Sequence, residues 1–304
     1  LLTKMKKKCI LCGKGNKTLN SLKVISNTIR ERKNTKVYFC KIHELGFLPD
    51  TKKLNYKSQY GSKLLKIKNF KTLSSIRLKD LKETVKRFKN IYNFKKKTVL
   101  EIGPGVSPIF SYLRKEVNLF YVKEENIKYV EYLKKKYKEI NFPNFSENQM
   151  LNNKFDCIIM IHVFEHIEDP IYFLKDVKKL LKKGGSMLII VPNLNDIYSS
   201  ELSDDVKKNY KKFMFHTAHK FYYTMKSLKT LFQKSNLFKV KYISTFQEYS
   251  ITNFFYWHFF KKPNSSYSRA ISSSLKSDEL NKMFVKFCED KKKGSSLILR
   301  AEKL

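Results

Sequence analysis

The segment Val99-Leu100-Glu101-Ile102-Gly103-Pro104-Gly105-Val106-Ser107 constrains this chain more than any other. Residues 98–102 read as a short apolar strand, and a glycine-rich turn follows it at once. Such a turn lets backbone approach a ligand closely, and three ligand classes use it. A phosphate-binding loop needs a Gly-Lys-Ser/Thr ending, which is missing; in the earlier Gly13-Lys14-Gly15-Asn16-Lys17-Thr18, Asn16 stands where the second glycine belongs. A dinucleotide fingerprint needs Gly or Ala at 108, where strand and helix pack closely, and Pro108 occupies that place. Glu101 would also face a pyrophosphate with like charge. A carboxylate there suits a cationic ligand. Ser107-Pro108 is expected to cap and open the helix that follows.

Downstream, strand-like and helix-like runs alternate. Strands are predicted over 119–122, 155–163, 186–191, 238–244 and 295–301. A helix opens at Glu124-Glu125 with Ile127, Val130, Leu133 and Tyr137 on one face. Another spans 170–183, with Ile171, Leu174, Val177 and Leu181 on its buried side and Gly184-Gly185 as its stop. A third covers 224–234. This pattern predicts an α/β fold, a doubly wound and mostly parallel sheet whose ligands sit at the carboxyl ends of the strands. Three regions are expected: a Cys/His segment over 1–46, a basic connector over 47–97 with a helix at 78–92, and the α/β domain over 98–304. An insertion over about 246–291 separates the last two strands.

The charge balance is extreme, with 63 Lys+Arg against 27 Asp+Glu and a formal net charge of +36. A polyanionic partner would suit it. The lysines are spread through every segment, however, together with many Asn, Ile, Phe and Tyr, a usage that an A/T-rich coding sequence produces; a dedicated nucleic-acid face is not favoured. With 42% hydrophobic and 14% aromatic residues the chain should bury a core rather than stay disordered. Its longest apolar stretches, at 157–164 and 253–260, are too short to span a bilayer, and a cytoplasmic location is expected.

Four motifs, in order, make the chain resemble the class I S-adenosylmethionine-dependent methyltransferases. Glu101-x-Gly103-x-Gly105 resembles their first motif. The stretch from Lys154-Phe155-Asp156 through Phe164-Glu165-His166-Ile167-Glu168-Asp169-Pro170 is similar to their fourth strand and its following turn. Leu180-Leu181-Lys182-Lys183-Gly184-Gly185 with 186–193 resembles the next helix, turn and strand. His219-Lys220-Phe221-Tyr222-Tyr223-Thr224 resembles the stretch entering the sixth strand's helix in the branch often labelled methyltransferase type 11 or 23. The resemblance covers 98–244 and implies a seven-stranded Rossmann-like sheet that binds S-adenosylmethionine through Glu101, Ile102, Gly103, Pro104, Gly105, Glu124, Ile161 and His162. Two departures matter. Lys123 stands where the ribose-gripping acid is usual, so Glu124 or Glu125 takes that role. The adenine side offers Asn144, Ser146, Glu147 and Asn148 instead of an acid. Gly103→Arg is expected to abolish cofactor binding without unfolding the chain.

Methyl transfer from a sulfonium is an in-line displacement that chiefly needs an aligned, desolvated nucleophile, with a general base where the acceptor is a hydroxyl. His166 and His219 are the candidate bases; Glu165 and His216 read as residues without a chemical role. Separately, Cys9-x-x-Cys12 and Cys40-x-x-His43 form two knuckle-type pairs whose donors suit tetrahedral zinc. A zinc-ribbon-like segment ahead of a methyltransferase core resembles enzymes that methylate sugars or secondary metabolites, with a structural metal. The acceptor is therefore expected to be a small molecule, plausibly a sugar or nucleotide-linked sugar. Two rivals stand beside this reading: an RNA methyltransferase that grips its substrate with the basic surface and zinc segment, and a non-catalytic binding module. No Asn/Asp-Pro-Pro-Tyr/Phe tetrapeptide, common in base-amino methyltransferases, is present. The aromatic run at 254–260 reads as acceptor-pocket insertion or as a surface for peripheral membrane or partner contact.

Overall fold

The structure is a computed structural model and describes residues 9–12, 21–49, 69–143, 151–263 and 278–304. The adenine-side stretch 144–150 and the middle of the predicted insertion, 264–277, lie outside the described residues.

Seven strands form the main sheet in the order β10-β11-β8-β7-β4-β5-β6. They are β4 (Thr98–Ile102), β5 (Leu119–Lys123), β6 (Ile140–Asn141), β7 (Phe155–Ile161), β8 (Leu181–Pro192), β10 (Phe238–Phe246) and β11 (Ser296–Lys303). Strands β6, β5, β4, β7 and β8 pair in parallel, while β11 runs antiparallel to both β8 and β10. The doubly wound, mostly parallel sheet is thus present. The chain steps outward from β4 through β5 to β6 and returns as β7 on the other side of β4. That reversal opens a crevice at the carboxyl ends of β4 and β7, where ligands of such sheets bind.

Alternation along the strands feeds a core on each face. Ile158 and Met160 of β7 point into one cluster, with Leu100, Phe164 and Leu174; Cys157 and Ile159 point into the other, with Val99, Phe120 and Ile190.

A second, four-stranded antiparallel sheet has the order β1-β2-β3-β9, from β1 (Leu22–Ser26), β2 (Val37–Cys40), β3 (Leu45–Phe47) and β9 (Phe221–Tyr222). The Cys/His segment therefore takes its last strand from the far half of the chain. Cys9, Cys40, Leu45 and Phe47 belong to the same core cluster as Phe221 and Tyr223.

Several element boundaries differ from the sequence reading, each for a local reason. The connector helix α1 spans Phe70–Ile91, because the Asn69 side chain caps it by accepting from the Lys71 and Thr72 N–H groups. Its first turns carry Ser74, Ser75 and Arg77, which hide the apolar period. Helix α2 (Phe110–Leu113) has Ile109 at its N-cap, not Ser107, and no side-chain cap; the Ile109 N–H donates instead to the buried Glu101 Oε2 at 2.9 Å. Helix α3 (Ile127–Lys136) opens at Asn126, which caps Lys128 and Tyr129, so Glu124 and Glu125 stay in the preceding loop. Helix α4 (Pro170–Leu180) stops before Gly184-Gly185. Those glycines lie in a bulge within β8: Leu181 faces Phe155 and Ser186 faces Cys157, so Lys182 to Gly185 loop out between them, with Gly184 at φ +69°.

The helices α5 (Ile197–Glu201), α6 (Asp204–Met214), α8 (Ile251–Phe260) and α9 (Asp278–Asp290) pack around Tyr198, Tyr210, Trp257 and Cys288. Helix α7 (Met225–Ser235) starts at Thr224, which shares a capping box with Ser227. Among the described residues, no helix is long and apolar enough to cross a membrane.

Candidate active site

Both loops at the crevice carry left-handed backbone. Gly103 has φ +68°, Gly105 φ +61° and His162, just past β7, φ +55°. Gly103 N–H donates to the Lys123 carbonyl at 2.8 Å, and Gly105 N–H to Glu124 Oε2 at 2.9 Å. The other Glu124 oxygen accepts from the Asn126 N–H at 2.9 Å. Glu124 thus stands beside the turn at the end of β5, its pKa pushed up by burial against these hydrogen bonds. A Cβ on Gly105 would meet nothing within 4 Å, so open space lies above that residue. A Cβ on Gly103 would lie 2.7 Å from Val163 Cγ2. A substitution at 103 therefore disturbs packing as well as the crevice, which corrects the expectation that Gly103→Arg would leave the fold untouched.

Glu101 sits beneath the turn, 2% exposed, and burial raises its pKa to about 8. The folded state keeps this proton between about 4.5 and 8 whereas the unfolded chain releases it, so stability present below the lower value is lost as pH rises through the upper one. Glu101→Gln is expected to remove that slope and to gain roughly 2–4 kcal/mol over the parent by pH 9, read by chemical unfolding across the pH range. Equal slopes in parent and variant would refute the assignment.

Four histidines gather past the end of β7. His166 Nδ1–H donates to the Ala218 carbonyl at 2.8 Å, which orients the ring. The His166 and His219 rings are 4.9 Å apart, and those of His216 and His219 are 3.7 Å apart. Burial depresses His219 far below the usual imidazole range and His216 to about 3, so both are neutral. His162 Nε2 lies 3.1 Å from Glu248 Oε1, and Glu248 accepts from Ser296 Oγ at 2.8 Å. Glu165, in the 3-10 turn Phe164–His166, is 1% exposed and faces His162 and His219. The structure brings His162, His166 and His219 together as a pattern of motifs could suggest, and adds Glu165, His216 and Glu248. Glu165 and His216, read from the sequence as residues without a chemical role, stand within this cluster. Glu248 carried no signal in the sequence, since only the path of β10 delivers it.

The cysteine pairs also meet. Cys12 Sγ lies 3.6 Å from Cys40 Sγ and 3.3 Å from His43 Nδ1, which is 3.7 Å from Cys40 Sγ and 4.0 Å from Cys9 Sγ. Ligands about 2.3 Å (S) and 2.0 Å (N) from a tetrahedral zinc ion stand about 3.5–3.8 Å apart, so this donor set fits that metal. The Cys12 N–H donates to the Cys9 carbonyl at 3.1 Å, closing the knuckle, and Lys234 Nζ on α7 donates to the Leu11 carbonyl.

A family model described as a methyltransferase domain matches residues 74–242. The chain belongs to that family. Its strand order, crevice and glycine turn are those of the class I S-adenosylmethionine-dependent fold. An uncharacterized protein of Methanocaldococcus jannaschii is 26% identical over 123 residues, 40% of this chain; the chain spans about half (52%) of the length of this curated relative. Among solved structures, a SAM-dependent methyltransferase from Aquifex aeolicus is 14% identical with a TM-score of 0.49, covering 81% of this chain and 100% of its own. One from Archaeoglobus fulgidus is 17% identical with a TM-score of 0.47, covering 77% and 100%. One from Mesorhizobium loti is 10% identical with a TM-score of 0.47, covering 72% and 96%.

The crevice residues fit the cofactor that membership of this family implies. Gly105 leaves room where a side chain would intrude, and Glu124 offers a carboxylate beside it. Glu101 supports the turn from below instead of facing the crevice. A separate cavity of about 380 Å³, lined by residues such as Tyr92, Asp156, Lys182, Gly184 and Arg300, opens at the amino-terminal edge of the strands, away from this chemistry.

Proposed function

We propose that this protein transfers a methyl group from S-adenosylmethionine to a hydroxyl-bearing small molecule, of the class of sugars or nucleotide-linked sugars. The observation that carries the reading is the pairing of two half-sites at one crevice: the open Gly103–Gly105 turn on β4 and the histidine cluster past β7. S-adenosylmethionine, when bound, supplies a methyl group on a sulfonium. Gly103, Pro104, Gly105 and Glu124 would hold it from one side, Ile161 and His162 from the other. On the acceptor side, the Ala218 carbonyl accepts from His166 Nδ1–H and so orients the ring, Nε2 of His166 is the candidate base for the acceptor's proton, and His219 stands beside it. The ribbon sheet and β9 wall this side, and a structural zinc on Cys9, Cys12, Cys40 and His43 would stiffen the wall.

Incubation with methyl-labelled S-adenosylmethionine and a cell extract, followed by separation into pools, tests the acceptor class. Label is expected in the small-molecule or saccharide pool. Label in a nuclease-sensitive pool would move the substrate to RNA, and absence of both label and cofactor binding would leave a non-catalytic binding module.

A further inference from the structure

Glu165 is the anomaly of the acceptor side. Both of its carboxylate oxygens are buried and have no hydrogen-bond partner. His219 Nε2 and His162 Nδ1 approach Oε1 only to 3.6 and 3.7 Å, beyond hydrogen-bond length. His219 Nδ1 is buried and unpartnered as well. An interior carboxylate without donors is strongly disfavoured unless a cation compensates it. Among the described residues the surroundings of Glu165 offer imidazoles and the buried Tyr223 hydroxyl, itself without a hydrogen-bond partner, and no ion pair joins a lysine or arginine to it.

We propose that Glu165, His166 and His219 form a metal site for a divalent first-row cation, zinc being the type case, at the acceptor end of the crevice. One oxygen of Glu165 and one nitrogen from each histidine all lie within 4.8 Å of one another. Ligand atoms about 2.0–2.2 Å from a tetrahedral ion stand about 3.3–3.6 Å apart. The 3.6 Å spacing of Glu165 Oε1 and His219 Nε2 already matches, and a His166 nitrogen lies within 4.8 Å of both residues' ligand atoms. The His166 Nδ1–H to Ala218 bond is the outer support that ligating histidines commonly have, and it leaves Nε2 to bind metal.

Two histidines and one carboxylate leave coordination positions open, as catalytic sites do, whereas three thiolates and an imidazole at Cys9, Cys12, Cys40 and His43 form a closed, structural set. An acceptor hydroxyl placed in an open position would lose its proton more readily, the proton passing to solvent water. In that state His166 and His219 hold the ion rather than a proton. This catalytic consequence rests on the methyl-transfer reading; metal binding does not.

The test strips the full-length protein with a chelator and titrates it with Co²⁺ while following its absorption spectrum. Two equivalents are expected to bind: one with the intense charge-transfer bands of thiolate ligands, one with weak ligand-field bands alone. Glu165→Gln, which keeps the side-chain shape, and His166→Ala should each lose the thiolate-free equivalent and keep the thiolate bands, whose survival also reports an intact ribbon. Cys12→Ser should lose the thiolate bands and keep the other. A wild-type protein that takes up thiolate-bound cobalt alone, or variants that retain both equivalents, would overturn the site. Parallel titration with S-adenosylhomocysteine separates the two readings: cofactor binding without the second cobalt sinks the metal site alone, and the second cobalt without cofactor binding sinks the methyltransferase reading alone.

Discussion

Gly105→Leu should weaken S-adenosylhomocysteine binding by at least about 100-fold while leaving the fold in place. The residue lies at φ +61°, and a Cβ there meets open space, so the substitution costs the left-handed penalty of about 1–2 kcal/mol and no clash. For a domain of this size that is a fall of roughly 2–8 °C in the unfolding midpoint. The leucine branch, by contrast, occupies the space that the cofactor needs. Gly103→Ala makes the opposing control: its Cβ would press on Val163 at 2.7 Å, so stability should fall further than in the 105 variant. Calorimetric titration and thermal unfolding on the three proteins read both effects. Undiminished binding in Gly105→Leu would remove the turn from the cofactor site.

Cys40→Ser should cost the largest share of stability. Cys40 is fully buried, ends β2, and lies within reach of two thiols and His43 Nδ1. Losing the ligand removes metal affinity, which in small zinc domains supplies about 10–16 kcal/mol of folding free energy. The ribbon also shares the main core, so a smaller loss, above about 4 kcal/mol, is expected here. Denaturant unfolding with and without a chelator, together with hydrogen exchange at Phe39 to Phe47, measures it. A variant as stable as the parent, or a parent indifferent to the chelator, would deny the ribbon its metal.

Most of the sheet was readable from the sequence because its central strands carry short apolar runs, at 157–161 and 187–191, bounded by punctuation, whereas the two-residue β6 leaves no such run. Boundaries set by side-chain capping were less so. Asn126 and Asn69 displaced the starts drawn from Glu124 and Leu78, since a cap is chosen by which side chain reaches the free N–H groups. The turn at 103–105 and the two cysteine pairs were legible because local spacing encodes them. Glu165 and Glu248 were not: one looks like a surface acid within a charged run, and the other becomes part of the site only when β10 lies beside β11 and the Ser296 hydroxyl donates to it.

The antiparallel pair of Phe47 with Phe221 and Gly46 with Tyr222 ties the far half of the chain to the Cys/His segment. The stretch from Phe215 to Tyr223, which carries His216 and His219, is pinned by four main-chain bonds to distant residues: Arg30 N–H to Phe215 O at 2.8 Å, Leu48 N–H to Lys220 O at 3.0 Å, Lys220 N–H to Glu165 O at 2.9 Å and Leu194 N–H to Tyr223 O at 2.8 Å. Peeling it back would break all four and open the ribbon sheet. An acceptor that reached the crevice through this stretch would have to break those bonds, a cost that any other approach avoids.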